Sequence, residues 1–148
     1  MKKFTVCLLA ALFGATLTLS AVPPSRDWFT DYQQAQQEAK AKKLPMFLLF
    51  TGSDWCPRCK KLDKDTLKTS KFKKFTQGKV ILVYLDFPRE TKLPKKIVKQ
   101  NEDLAKKFEI QGFPTIVVTD ANGKQLGQLG YARVNEFLPQ LEKILKKH

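Results

Sequence analysis

The sequence has few of the residues that staple small domains or bind metals. Its 148 residues include three cysteines and one histidine, the C-terminal His148. A domain held together by disulfides usually carries more cysteines at longer spacing. A structural zinc site would need two ligands beyond Cys56 and Cys59, and the terminal histidine is a poor candidate. These shortages argue against a disulfide framework and against a structural metal.

Acidic residues are also scarce. The chain has 14 Asp and Glu against 27 Lys and Arg, which gives a formal net charge of +13. The basic residues are spread along the chain and form no long basic arm. Such a charge can indicate nucleic-acid or anionic-surface binding. We favour a solvated basic surface and expect no nucleic-acid partner, because the nearby aromatic residues fall at core-like positions.

A hydrophobic run long enough to span a membrane is also missing. Residues 4–19 are apolar, which is shorter than the roughly 20 residues of a transmembrane helix. Lys2 and Lys3 precede this run and Ser20-Ala21 follows it, a pattern typical of a secretory signal peptide. We therefore predict a signal peptide over residues 1–21 and one exported domain over 22–148. The location is periplasmic if the source is a Gram-negative bacterium, and an uncleaved anchor is the alternative.

Removal of the signal peptide takes Cys7 with it and leaves a single Cys-x-x-Cys pair. The apolar run 45–50 predicts a strand buried on both faces, and residues 59–67 predict a helix. Cys56 therefore stands at a helix N-terminus, where unpaired backbone N–H groups and the helix dipole favour a thiolate. Arg58 adds positive charge, and Pro57 suits the first helical turn. A loop this short stabilises little, so the pair is interpreted as redox-active.

The rest of the pattern predicts an α/β domain. Helices are predicted over about 28–42, 59–68, 70–76, 100–108 and 134–147, and strands over 45–50, 80–85, 116–119 and 124–129. This order predicts a central mixed β-sheet flanked by helices on both faces. Asp27 and Asn101 are the expected caps of the first and fourth helices. Trp28 and Tyr32 are expected in the core, and segment 86–99 is interpreted as a surface loop, with partner recognition as the alternative.

Two motifs together resemble a thioredoxin-fold protein. They are Trp55-Cys56-x-x-Cys59-Lys60 after a hydrophobic strand and Gly112-Phe113-Pro114-Thr115 before a later one. The resemblance covers roughly residues 27–147. It implies the thioredoxin fold and thiol–disulfide oxidoreductase activity, with no cofactor beyond the redox-active disulfide. Cys56 on the exposed side of the helix start would be the nucleophile, and Cys59, further inward, would resolve the mixed disulfide.

The resemblance also assigns the residues around the cysteine pair. Pro114 would be a cis proline against the pair, where it denies metals access to the thiolates. Phe113 would offer its backbone groups to an extended substrate. Trp55, Pro57 and Arg58, together with the cis proline, would shape the site.

The direction of the reaction follows from a narrower resemblance. Ser53-Asp54-Trp55-Cys56 and the following Lys60-Lys61 resemble the exported, reducing thioredoxin-like proteins of the DsbH type and the DsbD C-terminal domain. This implies a disulfide reductase that acts on disulfide-bonded exported proteins. We also expect a membrane thiol electron donor and a monomeric protein. The alternatives are a disulfide oxidase or isomerase and, less favoured, a Cu(I) metallochaperone. Neither Met46 nor His148 has an evident place beside the pair as a copper ligand.

One position departs from the family pattern. Thioredoxin-like proteins often carry a buried acid six residues before the first cysteine, and that position is Phe50 in this chain. Proton transfer at Cys59 would then depend on water or on another acid. Asp54, Asp63 and Asp65 are the nearby acids, and the sequence does not choose among them.

Overall fold

A five-stranded sheet in the order β1-β3-β2-β4-β5 forms the centre of the computed structural model, which describes residues 27–147. The predicted signal peptide lies outside the described residues. The elements are β1 (Trp28–Phe29), α1 (Tyr32–Lys42), β2 (Met46–Thr51), α2 (Pro57–Leu62), a π-helical turn (Asp63–Leu67), α3 (Ser70–Thr76), β3 (Ile81–Asp86), α4 (Lys95–Lys107), β4 (Thr115–Thr119), β5 (Gln125–Leu129) and α5 (Val134–Leu145). Within residues 27–147, none of these helices has the length and apolarity to cross a membrane.

The sheet is mixed, as the sequence predicts. Strands β1, β3 and β2 run parallel, whereas β4 is antiparallel to both β2 and β5. Every residue of the central strand β2 is buried, which confirms the prediction from its continuous apolar run. The carboxyl end of β2 leads directly into residues 52–56, which end at Cys56 and which we call the cysteine loop.

Side chains of β2 alternate between two cores, one on each face of the sheet. On one face, Phe47 meets Phe72 and Phe137 at ring-centroid distances of 5.6 and 6.1 Å, beneath α2, α3 and α5. On the other face, Met46 and Phe50 pack beneath α1 and α4. Each fully buried large apolar side chain contributes roughly 1.5–3 kcal/mol. The predicted layers of helices on both faces are therefore confirmed.

The start of the first helix differs from the prediction. Trp28 lies in β1, opposite Leu82 of β3, and α1 begins at Tyr32. Asp31 caps this helix by accepting hydrogen bonds from the backbone N–H groups of residues 33 and 34, so the predicted Asp27 cap is wrong. Backbone pairing at the sheet edge overrides an apolar spacing that also fits a helix. The core position of Trp28 is confirmed, since only 7% of it is exposed.

The fourth helix begins five residues earlier than the sequence predicts. It starts at Lys95, directly after Pro94, so the irregular segment before it spans only 87–94. Asn101 is therefore inside the helix and not its cap. Its side chain is buried and donates a hydrogen bond of 2.9 Å to the backbone carbonyl oxygen of Asp86. This bond ties α4 to the end of β3.

Candidate redox site

The two cysteines form a disulfide at the start of α2, with their Cα atoms 5.2 Å apart. Cys56 is the N-cap, and its Sγ accepts a hydrogen bond of 3.2 Å from the backbone N–H of Cys59. Pro57 occupies the first turn, where its missing N–H leaves no bond unmade. Arg58 is exposed between the cysteines. Cys56 is only 5% exposed and Cys59 only 4%, so the attacking cysteine is less open than the sequence predicts.

The loop before β4 closes over this pair. The Phe113–Pro114 peptide bond is cis, as the resemblance implies. The carbonyl oxygen of Phe113 lies 3.7 Å from the Sγ of Cys56, and Pro114 is buried beside it. The fold thus brings together two motifs that are more than 50 residues apart in the chain.

Trp55 is fixed beside the pair by contacts on several sides. Its indole N–H donates a hydrogen bond of 2.8 Å to the carbonyl oxygen of Phe87, and its ring meets Phe113 edge-on at 6.1 Å. Gly52 lies against the indole, because a Cβ at this position would come within 2.6 Å of the ring. These contacts leave the indole little freedom to move.

The position of the missing family acid is fully apolar. Phe50 has no exposed surface and packs against Phe87 and Phe108 at ring-centroid distances of 6.4 and 6.3 Å. A carboxylate there would be desolvated among aromatic rings, at a cost of several kcal/mol unless it stayed protonated. Any proton acceptor for Cys59 must therefore come from another element.

Two of the three nearby acids are engaged elsewhere. Asp54 accepts hydrogen bonds from the backbone N–H groups of Arg89, Glu90 and Thr91. These bonds, that from Arg89 first, hold the pKa of Asp54 below its ordinary value. Asp65 accepts a hydrogen bond of 2.9 Å from the hydroxyl of Tyr131.

The third acid, Asp63, shares a cavity with Cys59. The cavity has a volume of about 80 Å³. Thr51, Ser53 and Tyr84 also line it. One carboxylate oxygen of Asp63 pairs with Lys68, while its Oδ1 is buried and has no hydrogen-bond partner among residues 27–147. Asp63 opens the π-helical turn, an irregularity frequent at functional sites.

Sequence reasoning missed a fourth acid, Asp86. It is only 3% exposed, and its carboxylate accepts hydrogen bonds from the N–H and the hydroxyl of Ser53. Burial raises the pKa of Asp86, although these hydrogen bonds oppose the shift. The available signal was its place directly after the apolar run 81–85, since the carboxyl ends of adjacent parallel strands meet at one edge of the sheet.

Metal ligands are sparse around the pair. No group of three or more His, Cys, Asp and Glu able to hold an ion occurs in the part of the chain that the structure describes. Met46 is buried at the start of β2, whereas the cysteine loop follows the end of this strand. Five residue steps of about 3.3 Å place the two ends of the strand roughly 17 Å apart.

Comparison with known proteins agrees with the fold and the cysteine pair. Residues 32–145 match the family model described as a thioredoxin-like domain. The chain therefore belongs to the thioredoxin-like family and has the thioredoxin fold. Its site is a Cys-x-x-Cys disulfide against a cis proline.

Within that family, the chain is similar to Dsb proteins. It is 37% identical over 100 residues to the disulfide bond reductase DsbH of Chlamydia pneumoniae, across 68% of this chain and 60% of that protein. It is 32% identical over 135 residues to the thioredoxin-related protein DsbJ of Chlamydia pneumoniae, across 88% of this chain and 38% of that protein. A solved DsbH oxidoreductase structure matches with a TM-score of 0.77 at 30% identity, over 88% of this chain and 94% of that one. The chain thus spans 60% or less of these two curated relatives.

Proposed function

We propose that this chain is a thiol–disulfide oxidoreductase that reduces disulfide bonds in exported proteins. The observation that carries this proposal is the Cys56–Cys59 disulfide at the start of α2, with the Phe113 carbonyl 3.7 Å from Cys56 Sγ. The name of one relative, disulfide bond reductase, supports the direction. Export rests on the predicted signal peptide over residues 1–21.

The reaction begins with the reduced protein. The Cys56 thiolate attacks one sulfur of the substrate disulfide, whose S–S bond breaks as a mixed disulfide forms. The first substrate sulfur leaves as a thiolate and takes a proton from solvent. The Cys59 N–H, 3.2 Å from Cys56 Sγ, and the nearby charge of Arg58 favour the attacking thiolate.

The second step releases the substrate. The Cys59 thiolate attacks Cys56 Sγ, and the second substrate sulfur leaves with its bonding pair. Two electrons have then passed to the substrate, and the enzyme holds the Cys56–Cys59 disulfide. A dithiol donor must reduce this disulfide before the next turnover, and a membrane thiol protein is the class of donor that we expect.

The second step requires Cys59 to lose a proton, and Asp63 is the acid best placed to accept it. Both residues line the cavity of about 80 Å³, well above the roughly 10–15 Å³ that one water molecule needs. The Oδ1 of Asp63, which has no hydrogen-bond partner in the part of the chain that the structure describes, supplies an acceptor for such a water. We assign to Asp63 the relay that a buried acid at position 50 supplies in other family members.

Substrate positioning falls to the groups that surround Cys56. The Phe113 carbonyl offers a hydrogen-bond acceptor to an extended substrate segment beside the reacting sulfur. Pro114, from the same loop, covers the Cys56–Cys59 pair. The Trp55 indole beside the pair limits the access of water to it. Pro57 and Arg58 set the start of α2 and its charge.

Trapping of the mixed disulfide tests this assignment. In a Cys7→Ser background, the Cys59→Ser variant should accumulate a covalent complex with a disulfide-bonded substrate, because the resolving thiol is gone. Cys56→Ser should form no such complex, and wild type should show it only transiently. Nonreducing electrophoresis after acid quenching measures all three. Full disulfide-reducing activity in the double Cys56→Ser, Cys59→Ser variant would refute the proposal.

A further inference from the structure

A short loop after β3 is fastened to the cysteine loop by one carboxylate. Asp54 Oδ1 accepts from Arg89 N at 3.0 Å, and Oδ2 accepts from Glu90 N at 2.9 Å and Thr91 N at 3.1 Å. The indole N–H of Trp55 adds a bond to the Phe87 carbonyl. Asp54 and Trp55 of the cysteine loop thus hold residues 87–91 in place, and this segment still lies at the surface, with Arg89 and Glu90 exposed.

This attachment places Arg89 over the indole beside the reactive sulfur. The Arg89 guanidinium carbon lies 3.8 Å from the Trp55 ring centroid, well within the roughly 6 Å of a cation–π contact. Trp55 meets Phe113 edge-on, and the Phe113 carbonyl is the group that faces Cys56. The Trp55 ring therefore lies between the Arg89 guanidinium and Phe113, the residue whose carbonyl faces Cys56.

The charge of Arg89 is available to a partner. The residue is exposed, and no ion pair joins it to a carboxylate within residues 27–147. A guanidinium stacked on a ring keeps its edge N–H donors free, and their fork matches a carboxylate. Arg58 and Lys60 add exposed positive charge beside the pair. Glu90 is the one exposed acid of residues 87–91. The nearby Asp54 carboxylate is already occupied by backbone N–H donors of this segment.

We propose that Arg89 makes this site prefer disulfides flanked by acidic residues. The hydrogen bonds between the Asp54 carboxylate and the loop hold Arg89 over Trp55. The inference rests on the proposed reductase function and specifies its substrate class. A carboxylate beside the substrate cysteine would reach the guanidinium edge while the disulfide meets Cys56. The charge of Arg89 then contributes to substrate binding, and Asp54 acts as the positioning residue that holds it there.

The test uses three synthetic peptide disulfides that are identical except for the residues flanking the cysteine. These are two Glu, two Gln or two Lys. For the wild-type protein, kcat/KM should fall in the order Glu, Gln, Lys, with the first about tenfold or more above the last. This ratio should shrink as salt is added, because exposed charges are screened. Arg89→Glu should reverse the order, which a merely structural role of Arg89 would not do.

Two further variants make the test specific. Asp54→Ala keeps Arg89 but releases its loop, so it should reduce the Glu-to-Lys ratio by several-fold. Lys92→Gln removes an exposed cation from the same connection and should leave the ratio at its wild-type value. Equal kcat/KM values for the Glu and Lys peptides in wild type would overturn the inference and leave the reductase proposal standing. Failure to reduce any of the three peptides would overturn both.

Discussion

Ser53 donates two hydrogen bonds to the buried carboxylate of Asp86, one of them from its backbone N–H at 2.9 Å. Asp86 closes β3 opposite Thr51 of β2, and Ser53 is the second residue after that strand. The carboxylate therefore ties the beginning of the cysteine loop to the sheet. Burial raises the pKa of Asp86 above its ordinary value of 3.8.

This shift predicts how the stability of the protein depends on pH. A carboxyl group whose folded-state pKa is raised binds more protons in the native than in the unfolded state. The contribution of Asp86 to stability is present below pH 3.8 and is lost as the pH rises through the higher pKa of the folded state. Asp86→Asn removes this titration, so the free energy of unfolding of wild type should fall relative to the variant as the pH rises. Urea denaturation at a series of pH values from below 3.8 upward measures the free energy of unfolding of both proteins. A wild type whose free energy of unfolding rises relative to that of the variant would contradict this prediction.

The proton relay predicts different effects for two neighbouring acids. Asp63→Asn should slow the resolution of the mixed disulfide by about tenfold or more, since general acid–base catalysis contributes roughly 10²–10⁴-fold. Asp65→Asn is the matched control, because Asp65 bonds to Tyr131 and does not line the Cys59 cavity. Single-turnover quenching gives both rates. The difference between the two rates should shrink as the pH rises, because hydroxide then removes the Cys59 proton in place of Asp63. Equal rates for the two variants at neutral pH would rule out the relay.

Gly52 predicts a defect that acts through Trp55. A Cβ at Gly52 would lie 2.6 Å from the indole, so Gly52→Ala must displace the ring. We expect a loss of roughly tenfold to a hundredfold in kcat/KM, because small misplacements in a site are costly, together with a shift in tryptophan fluorescence. Gly130→Ala is the control, since a Cβ there would meet no atom of residues 27–147 within 4 Å. Normal activity in Gly52→Ala would show that the position of Trp55 is unimportant.

Asn101 predicts a loss of stability without a change in the site chemistry. Asn101→Ala removes the donor to the Asp86 carbonyl and leaves a buried acceptor unpaired, at a cost of about 1–3 kcal/mol. Asn135→Ala is a matched substitution on the exposed face of α5 and should change stability by no more than about 0.5 kcal/mol. Denaturant titration of both variants measures the difference. Equal stabilities would mean that this bond contributes nothing.

Much of the fold could be predicted because strong local signals carry it. The continuous apolar run before the cysteines predicts a strand buried on both faces, and β2 is that strand. The turn between β4 and β5 also has a local signal, because Asn122 and Gly123 are residues that hairpin turns favour, and Gly123 has a positive φ of 86°. The two-residue strand at Trp28 is too short to show a period of its own. The start of α4 was missed because its N-cap is Pro94, whose side chain cannot accept the hydrogen bond that a capping Ser, Thr, Asp or Asn would accept.

Part of the site could also be predicted and part could not. Cys56 and Cys59 belong to one recognisable motif and Phe113–Pro114 to another, so the resemblance to thioredoxin-fold proteins could place them together. The contacts of Asp54 and Asp86 could not be predicted, because they join residues 33–37 positions apart. Such contacts depend on strand register and on the path of the loop after β3, which local patterns do not encode.

The reduction potential of the Cys56–Cys59 pair distinguishes a disulfide reductase from a disulfide donor. Equilibration of the protein with a reference dithiol in a Cys7→Ser background, followed by alkylation of free thiols, gives this potential. A disulfide reductase should have a value near that of thioredoxin, about −270 mV. A value near that of a strong oxidant, about −120 mV, would contradict the account and make this protein a disulfide donor.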